Sequence, residues 1–391
     1  MVIVRLARMF LLVGALSLWP LSVWAQSIQV IAPAAYLHDV GTNSPLYEKK
    51  ADDLLAPASI VKLLTAETVF HALKSGEVAL ETEYLISENT WRRGGAPSGS
   101  PAMFAPLKSR VAIRDLLQGL IVSSANDAAL ALAEGMLGGE AAFVARMQER
   151  ARVIGLTRSQ FRTATGFSNA EQRVTAREMA LLARHVIETY PERLALFGQR
   201  EFSWNAIFQR NRNPLIAMNI GADGLATGNT TEAGFNLVGT AQRDGRRLIV
   251  VILGAENAEM RATEARKLLD WGFSNFEPRK LLEKDIDLIQ AKVSGGSKAQ
   301  VALGLKEDIT LLLPKSILDP VTTSITYQGP LQAPIAPGAV VGRLIVRRGN
   351  VIALQAPVIA LEGVEQGSLA KRALDNSLEW VSGLFRRSGR P

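Results

Sequence analysis

The 391-residue sequence contains no cysteine, three histidines and few aromatic residues, which make up 6% of the chain. Without cysteine there is no thiolate nucleophile and no disulfide, so stability has to come from core packing. A Ser-His-Asp hydrolase would need one of the three histidines, yet His71 and His185 fall within helical patterns that favour a core or surface role. No cluster of histidines or carboxylates has the spacing of metal ligands, so no metal is expected.

Long apolar runs are also scarce. Only one run approaches the length of a membrane span, and it lies at the N-terminus. Arg5 and Arg8 precede an apolar run from Met9 to Val23, and small residues follow at the positions that determine cleavage. This pattern predicts a secretory signal peptide over residues 1–25. The alternative is an uncleaved membrane anchor, although the run is short for a span.

The overall composition is that of a globular protein, with 48% apolar and 21% charged residues. The formal net charge is +7, and loss of the two signal-peptide arginines leaves the mature chain at about +5. A basic exported protein suits an anionic membrane surface or an acidic polymer. Nucleic acid is not expected as a partner, because basic and aromatic residues are not interleaved as in a nucleic-acid platform.

The pattern of helices and strands predicts an α+β fold over residues 27–275. Strand-like segments at both ends of this region enclose a helical block, which suggests one sheet with a large helical insertion. Residues 276–366 lose the helical period and show short apolar runs separated by glycine and proline, which predicts a small all-β domain. This second domain contains no cluster of catalytic residue types and is interpreted as a spacer or binding module.

The tail, residues 367–391, returns to a helical period from Leu369 to Phe385 and ends in arginines. Its apolar residues share one face, which predicts an amphipathic helix that lies in a membrane interface. Packing of this helix against the all-β domain or against another chain is the alternative.

Ser59 and Lys62 are the first candidate catalytic residues, since they stand three apart at the start of an apolar helical pattern. Residues at this spacing share a helix face. A serine hydroxyl needs a base within reach, and a partly buried lysine with a lowered pKa can serve as one. The alternative is that Ser59 caps the helix while Lys62 points into solvent.

Two further polar groups bear on this pair. Ser124-Ala125-Asn126 lies between two predicted helices, where the hydroxyl can relay a proton and the amide can hold a lysine or a carbonyl, although such residues are also common in turns. Arg212 and Arg261 are each able to bind a carboxylate through two hydrogen bonds.

Two glycine-containing segments are also predicted to have a function. The segment from Asp223 to Thr230 precedes a predicted strand, and its small residues would let a peptide approach the backbone and pair with it. The turn-rich segment from Trp91 to Pro101 is predicted to be a surface loop with a function, because loops of that length usually have one.

The order Ser-x-x-Lys, Ser-x-Asn and Thr-Gly before a strand resembles the motif set of penicillin-binding proteins and serine β-lactamases. The similarity is stronger to the low-molecular-mass D-alanyl-D-alanine carboxypeptidases, which trim peptidoglycan stem peptides. A β-lactamase is possible in chemistry, but it would have no use for the all-β domain and the tail. The segments that carry the resemblance are Ala56–Ser59, Trp91–Gly95, Met103-Phe104, Gly119–Val122, Asn126–Ala128, Thr175–Ala180, Val238–Gly245 and Leu268–Phe273.

This resemblance implies a β-lactamase/transpeptidase-like first domain, a periplasmic location at the inner membrane and no cofactor. It implies that Ser59 attacks the penultimate D-alanine and forms an acyl-enzyme, with Lys62 as the base. β-Lactams would acylate the same hydroxyl. The family pattern assigns proton transfer to Ser124, and to Asn126 the holding of Lys62 and the substrate amide.

The family pattern also implies which residues bind the substrate. The N–H groups of Ser59 and of the residue after Gly228 would form the oxyanion hole. Thr227 and the preceding position would line the peptide site. Arg212 and Arg261 fall where the family places arginines near the terminal carboxylate.

One departure from the family concerns Ala226, because it occupies the position of the lysine in Lys-Thr-Gly, and Asn229 replaces the usual His or Thr. Loss of such a charge-assisted donor costs on the order of 3 kcal/mol, roughly a hundredfold in rate. Two hypotheses follow. Either the protein is an active carboxypeptidase in which Arg212 or Arg261 supplies the charge, or it is a weakened or inactive relative that binds peptidoglycan or a partner.

Overall fold

The structure, a computed structural model, describes residues 2–6, 28–315, 321–348 and 351–368. Its strands are β1 (Val2–Leu6), β2 (Ala34–Asp39), β3 (Ser44–Lys49), β4 (Glu83–Leu85), β5 (Arg110–Ala112), β6 (Glu201–Trp204), β7 (Ile207–Arg210), β8 (Ala222–Thr230), β9 (Gly234–Arg243), β10 (Arg246–Ala255), β11 (Phe276–Leu282), β12 (Ile289–Ser294), β13 (Gln300–Gly304), β14 (Ile309–Pro314), β15 (Val321–Tyr327), β16 (Leu331–Gln332), β17 (Val340–Arg348) and β18 (Val351–Ala360). Its helices are α1 (Lys62–Lys74), α2 (Glu88–Gly94), α3 (Ile113–Val122), α4 (Asn126–Leu137), α5 (Glu140–Ile154), α6 (Ala176–Thr189), α7 (Leu194–Phe197), α8 (Pro214–Ala217) and α9 (Ala258–Asn275).

Contacts between residues divide the chain into two units. The first unit ends at Asn275. The second consists of the chain from Phe276 onward, together with β1 at the N-terminal end. In the described part of the first unit, five antiparallel strands form a sheet in the order β3-β2-β10-β9-β8. The N-terminal hairpin therefore pairs with strands that come some two hundred residues later. Helices α1 to α8 lie between the two halves of the sheet in sequence and α9 follows β10, which confirms the predicted α+β fold with a helical insertion.

Helix α1 is the centre of the first unit. Every residue from Lys62 to Phe70 is buried, and its apolar side chains belong to the main core. A helix that is buried on all sides has neighbours all round it, and α1 contacts α3, α4, α5 and α6. The residues before it, Ala58–Val61, form one turn of 3-10 helix. This arrangement fixes Ser59 and Lys62 at the entrance to a rigid core element.

The second unit is built from strands alone in the part of the chain that the structure describes. Its larger sheet has the order β1-β15-β17-β18-β13-β12-β16, and β11 pairs separately with β14. Apolar side chains from facing strands, such as Val301, Ile325 and Leu344, form a core of their own. The prediction of an all-β second domain is therefore confirmed.

The two ends of the chain are largely outside the described residues. Of the residues predicted to form a signal peptide, the structure describes β1, which pairs with β15. The predicted amphipathic helix Leu369–Phe385 lies outside the described residues. Among the residues that are described, no single helix is long and apolar enough to span a membrane, and α4 and α5 reach that length only jointly, across a bend of 89°.

One local prediction was incomplete and one was wrong. The segment from Asp223 to Thr230 precedes the strand β9, as predicted, but it is also itself most of β8, because its backbone pairs with β9. The segment from Trp91 to Pro101 is not simply a loop, since α2 runs to Gly94 and Ala96–Ser98 adds a 3-10 turn. The hydroxyl of Ser87 caps α2 by accepting a hydrogen bond from the backbone of Thr90 at 3.0 Å.

Candidate active site

Ser59 and Lys62 lie side by side at the start of α1. Lys62 Nζ is 3.0 Å from Ser59 Oγ and donates to the carbonyl oxygen of Thr165 at 2.6 Å. The lysine is 4% exposed, so it does not point into solvent, and Ser59 makes no side-chain cap for the helix. Ala58 has a φ of +49°, a conformation that few non-glycine residues adopt, and it turns the chain sharply just before Ser59.

The surroundings of Lys62 lower its pKa to about 7. Burial is the main cause, because it disfavours the charged ammonium, and the positive charge of Arg212 adds to it. The carboxylate of Asp127 acts in the opposite direction. About half of the Lys62 side chains are therefore neutral near pH 7, and a neutral amine can accept the proton of a neighbouring hydroxyl.

The junction between α3 and α4 carries two more of the predicted residues, of which Ser124 lies in the wall of the cleft and Asn126 does not. Ser124 has a φ of +56° and lines the cleft that also contains Ser59 and Lys62. Asn126 is the first residue of α4, and its Nδ2 donates to Ser100 Oγ at 2.9 Å. Among the described residues Asn126 Oδ1 has no hydrogen-bond partner although it is buried. A buried acceptor of this kind is suited to a donor from a ligand.

Strand β8 closes the other side of the site. A Cβ on Gly228 would lie 2.4 Å from the backbone nitrogen of Ser59, so only glycine lets the strand approach this closely. In the described sheet, β8 is an edge strand, because its only neighbour in the strand order is β9. Its free edge beside Ser59 can accept an extended peptide as an added strand.

A cleft lies between these elements. Its walls include the cationic side chains of Lys62 and Arg212 next to Ala226 and Thr227. Arg212 Nε donates to the carbonyl oxygen of Ser123 at 2.8 Å, which holds the guanidinium against α3, and burial lowers the pKa of this arginine. The cleft therefore contains positive charge on the side where the sequence has Ala226 in place of a lysine.

The structure does not place Arg261 in the wall of this cleft. Arg261 lies in the first turn of α9, 8% exposed, and its guanidinium carbon is 5.7 Å from the ring centre of Phe235. Phe235 is the residue opposite Asn229 in the ladder between β8 and β9. Burial lowers the pKa of Arg261, and within the described residues its Nε has no hydrogen-bond partner.

Two residues that the sequence analysis missed help to build the site. Ser100 holds the amide of Asn126, as described above. Asn236, on β9, donates through Nδ2 to the carbonyl oxygens of Ala56 and Pro57, both at 2.9 Å, and its Oδ1 accepts from the backbone of Gly254 at 2.8 Å. It thereby ties two strands to the segment that precedes Ser59. Its only sequence signal is the presence of an asparagine inside an apolar strand, where that residue is rare.

In the part of the chain that the structure describes, metal-dependent or histidine-dependent catalysis has no comparable arrangement of side chains. No group of three or more His, Cys, Asp or Glu side chains there is positioned to hold a metal ion. The imidazole of His185 lies 3.2 Å from Glu67 Oε1, and Arg150 Nη2 binds the same oxygen at 2.6 Å. This histidine therefore contacts the buried Glu67 of α1, and the titratable side chain that lies beside Ser59 is Lys62.

The first unit thus combines an antiparallel sheet, a lysine at the start of a buried helix with a serine three residues before it, and a glycine-containing edge strand beside that serine. Residues 22–257 match the family model described as D-alanyl-D-alanine carboxypeptidase, Peptidase S11. Residues 276–366 match the model described as Penicillin-binding protein 5, C-terminal domain. The chain belongs to the Peptidase S11 family of D-alanyl-D-alanine carboxypeptidases.

Individual relatives match most of the chain or its first unit. The D-alanyl-D-alanine carboxypeptidase DacC of Escherichia coli is 37% identical over 349 residues, which cover 88% of this chain and 87% of the relative. The crystal structure of penicillin binding protein 5 from Haemophilus influenzae has a TM-score of 0.77 at 33% identity and covers 88% of this chain and 100% of its own. Penicillin-Binding Protein D2 from Listeria monocytogenes, in its ampicillin-bound form, has a TM-score of 0.55 at 29% identity over 63% of this chain and 99% of its own.

Proposed function

We propose that this protein is a serine-type D-Ala-D-Ala carboxypeptidase that removes the terminal D-alanine from peptidoglycan stem peptides. The observation that carries the proposal is the 3.0 Å distance between Ser59 Oγ and a Lys62 amine whose pKa is lowered to about 7. This arrangement supplies a nucleophile together with a base that is substantially neutral at physiological pH. Membership of the carboxypeptidase family supports the choice of substrate.

In the proposed reaction, Ser59 Oγ attacks the carbonyl carbon of the penultimate D-alanine while its proton passes to Lys62 Nζ. The resulting oxyanion is held by the backbone N–H groups of Ser59 and Asn229. The C–N bond then breaks, and the amine of the leaving D-alanine takes up a proton through Lys62 and Ser124. Water hydrolyses the ester with the same groups acting in reverse, which regenerates the Ser59 hydroxyl and releases the shortened peptide.

Arg212 takes over the electrostatic role of the missing lysine in this proposal. It lines the cleft beside Ala226 and Thr227, where the carboxylate of the terminal D-alanine has to lie if the peptide pairs with β8. A guanidinium can bind a carboxylate through two parallel hydrogen bonds. Arg261 lies outside the cleft wall and is the weaker candidate for this role.

The second candidate function is that of a weakened or inactive relative that binds stem peptides or a partner protein. The absence of a lysine at position 226 favours it. Release of D-alanine from a peptide ending in D-Ala-D-Ala, compared between the protein and its Ser59→Ala variant, separates the two functions. Release by the protein alone supports the enzyme, whereas no difference between the two proteins removes the enzyme from consideration.

We further propose that β-lactams acylate Ser59, because they present a strained amide to the same nucleophile. A relative has been solved in an ampicillin-bound form, which supports the extension to this chain. Labelling with a fluorescent penicillin, with and without the Ser59→Ala change, tests it.

For the location we propose the periplasm, with peripheral attachment to the inner membrane. The support is the N-terminal signal-peptide pattern and the basic amphipathic pattern of residues 369–385. A chain that ends at Gln366 should no longer sediment with anionic lipid vesicles, whereas the mature full-length chain should. Equal sedimentation of the two chains would refute attachment through the tail.

A further inference from the structure

Strand β15 lies near one end of the larger sheet of the second unit. On one side it pairs with β17 from Val321 to Tyr327 without a break in register. In the sheets that the structure describes, its other edge pairs only with β1, in antiparallel orientation and over five residues. This edge of β15 therefore accepts an extended antiparallel strand. Because β1 lies within the predicted signal peptide, removal of residues 1–25 would open the edge to another partner.

The edge of β15 lacks the features that usually stop an edge strand from pairing with another chain. Natural edge strands are protected by charged residues, by proline or by a bulge. Strand β3, at the edge of the sheet in the first unit, has all three, since it contains Pro45 and Lys49 and its ladder with β2 includes a shift of register. The sequence of β15, Val-Thr-Thr-Ser-Ile-Thr-Tyr, has no charge and no proline, and all its residues except Ser324 are β-branched or aromatic types that favour strands. It is therefore well suited to pair with a further strand.

The sequence of β15 is also complementary to itself about Ser324. When two β15 strands pair about a twofold axis, Ser324 lies opposite its own copy and Thr322 lies opposite Thr326. Val321 then lies opposite Tyr327, and both of these side chains pack on the core of the unit. Pairs of threonines, and pairs of an aromatic with a β-branched side chain, stabilise antiparallel strands, and no like charges meet in this register. Opposite residues share a face, so the core side of one copy continues into the core side of the other.

We propose that the mature protein forms a dimer in which the β15 strands of two copies pair in antiparallel orientation and join two sheets into one. The inference rests on the proposed removal of residues 1–25 and does not depend on the proposed reaction. A single pair of strands buries less than the roughly 1,200 Å² of a standard interface, so the dimer is weak. β1 occupies the same edge, so a chain that retains residues 1–25 stays monomeric.

The test measures the average mass of the mature chain, from Gln26 onward, by sedimentation velocity between about 1 and about 100 μM, where a weak interface becomes populated. We expect the mass to rise towards that of a dimer. Ser324→Lys places two like charges opposite each other at the twofold axis, so it should weaken dimerisation at least about fivefold, and 1 M NaCl should reduce this effect. Ser297→Lys is the matched control, because Ser297 is exposed in the loop between β12 and β13, near the other end of the sheet. This variant should dimerise like the unaltered chain.

A second measurement tests the register, and it is clean because the chain contains no cysteine. Ser324→Cys places the thiols of the two copies directly opposite each other, within the span of a disulfide, so mild oxidation should link them. Thr326→Cys is the matched control on the same face of the strand. Its two thiols would be separated by four residue steps, about 13 Å, so oxidation should not link them.

Three results would overturn the proposal. They are a monomer over the whole concentration range, equal dimerisation of Ser324→Lys and the unaltered chain, and disulfide linking in Thr326→Cys that is as fast as in Ser324→Cys. Dimerisation that disappears when the chain ends at Gln366 would assign the contact to the tail and would also refute pairing through β15.

Discussion

The backbone nitrogen of Ser59 lies 2.4 Å from the position that a Cβ on Gly228 would occupy. No heavy atom can be tolerated at that distance, so any side chain at Gly228 has to push β8 away from the serine. The strand and the turn before α1 are thus in direct contact at the point where the proposed reaction requires the substrate carbonyl to bind. Both of the proposed oxyanion donors depend on this contact.

We therefore expect Gly228→Ala to reduce the rate of acylation at Ser59 by more than tenfold, because losing one oxyanion donor costs on the order of a hundredfold. The rate of labelling by a fluorescent penicillin measures this effect. Gly139→Ala is the matched control, since a Cβ at Gly139 meets nothing within 4 Å and the residue is extended. Similar rates in the two variants would show that the approach of β8 does not matter for the reaction.

The pKa of Lys62 predicts how acylation depends on pH. The neutral amine is the active form, so the rate should rise as pH rises, pass its midpoint near pH 7 and level off above that. The charge of Arg212 helps to hold the pKa of Lys62 down. Arg212→Gln should therefore move the midpoint upwards, by roughly half a unit to one unit.

The control for this experiment is Arg200→Gln, because Arg200 binds Asn219 on the surface and lies outside the cleft wall. Its midpoint should match that of the unaltered protein. A midpoint that stays in place or falls in Arg212→Gln would contradict the electrostatic link between Arg212 and Lys62.

Ala226→Lys restores the lysine that the family carries at this position. Ala226 lines the cleft, so a lysine here adds a charge-assisted donor for the terminal carboxylate, and we expect kcat/KM for D-Ala release to rise roughly ten- to a hundredfold. Ala222→Lys, on the same strand but outside the cleft wall, should leave the rate unchanged. An unchanged or lower rate in Ala226→Lys would mean that the cleft of this protein no longer accommodates a functional lysine at position 226.

Asn236→Ala removes the hydrogen bonds that hold the segment before Ser59. The side chain is fully buried, and its loss leaves the carbonyl oxygens of Ala56 and Pro57 without this donor, which should lower the free energy of unfolding by about 2–4 kcal/mol. Denaturant unfolding measures the loss, and acylation should slow as well. The exposed Asn89→Ala serves for comparison, and equal stability of the two variants would refute the structural role of Asn236.

Local patterns predicted the parts of the site that depend on local structure. The spacing of Ser59 and Lys62 sufficed because one helical turn brings them together, and the apolar period of α1 indicated that this turn would be buried. The α+β order of the chain and the all-β second domain followed from the change of period near residue 276. The order of the motifs along the sequence identified Ser124 and Gly228 as candidate site residues without any knowledge of their contacts.

The contacts that depend on distant parts of the chain were not predictable in this way. Asn236 reaches Pro57 across 179 residues, and Asn126 reaches Ser100 across 26, so no short pattern records either bond. Arg212 and Arg261 were equivalent in sequence, and only the structure separates them, because it places Arg212 in the wall of the cleft and Arg261 against Phe235. The helical turns between Trp91 and Pro101 were hidden by glycine and proline, which usually mark loops.

The central claim is that Lys62 activates Ser59. The most direct test measures the rate of acylation by penicillin and locates the acyl group on individual peptides by mass spectrometry. In the unaltered protein the acyl group should be found on Ser59. Lys62→Arg keeps the positive charge but cannot accept the proton, so acylation of Ser59 should slow by at least about a hundredfold. An acyl group on another residue, or an equal rate in the two proteins, would contradict this account.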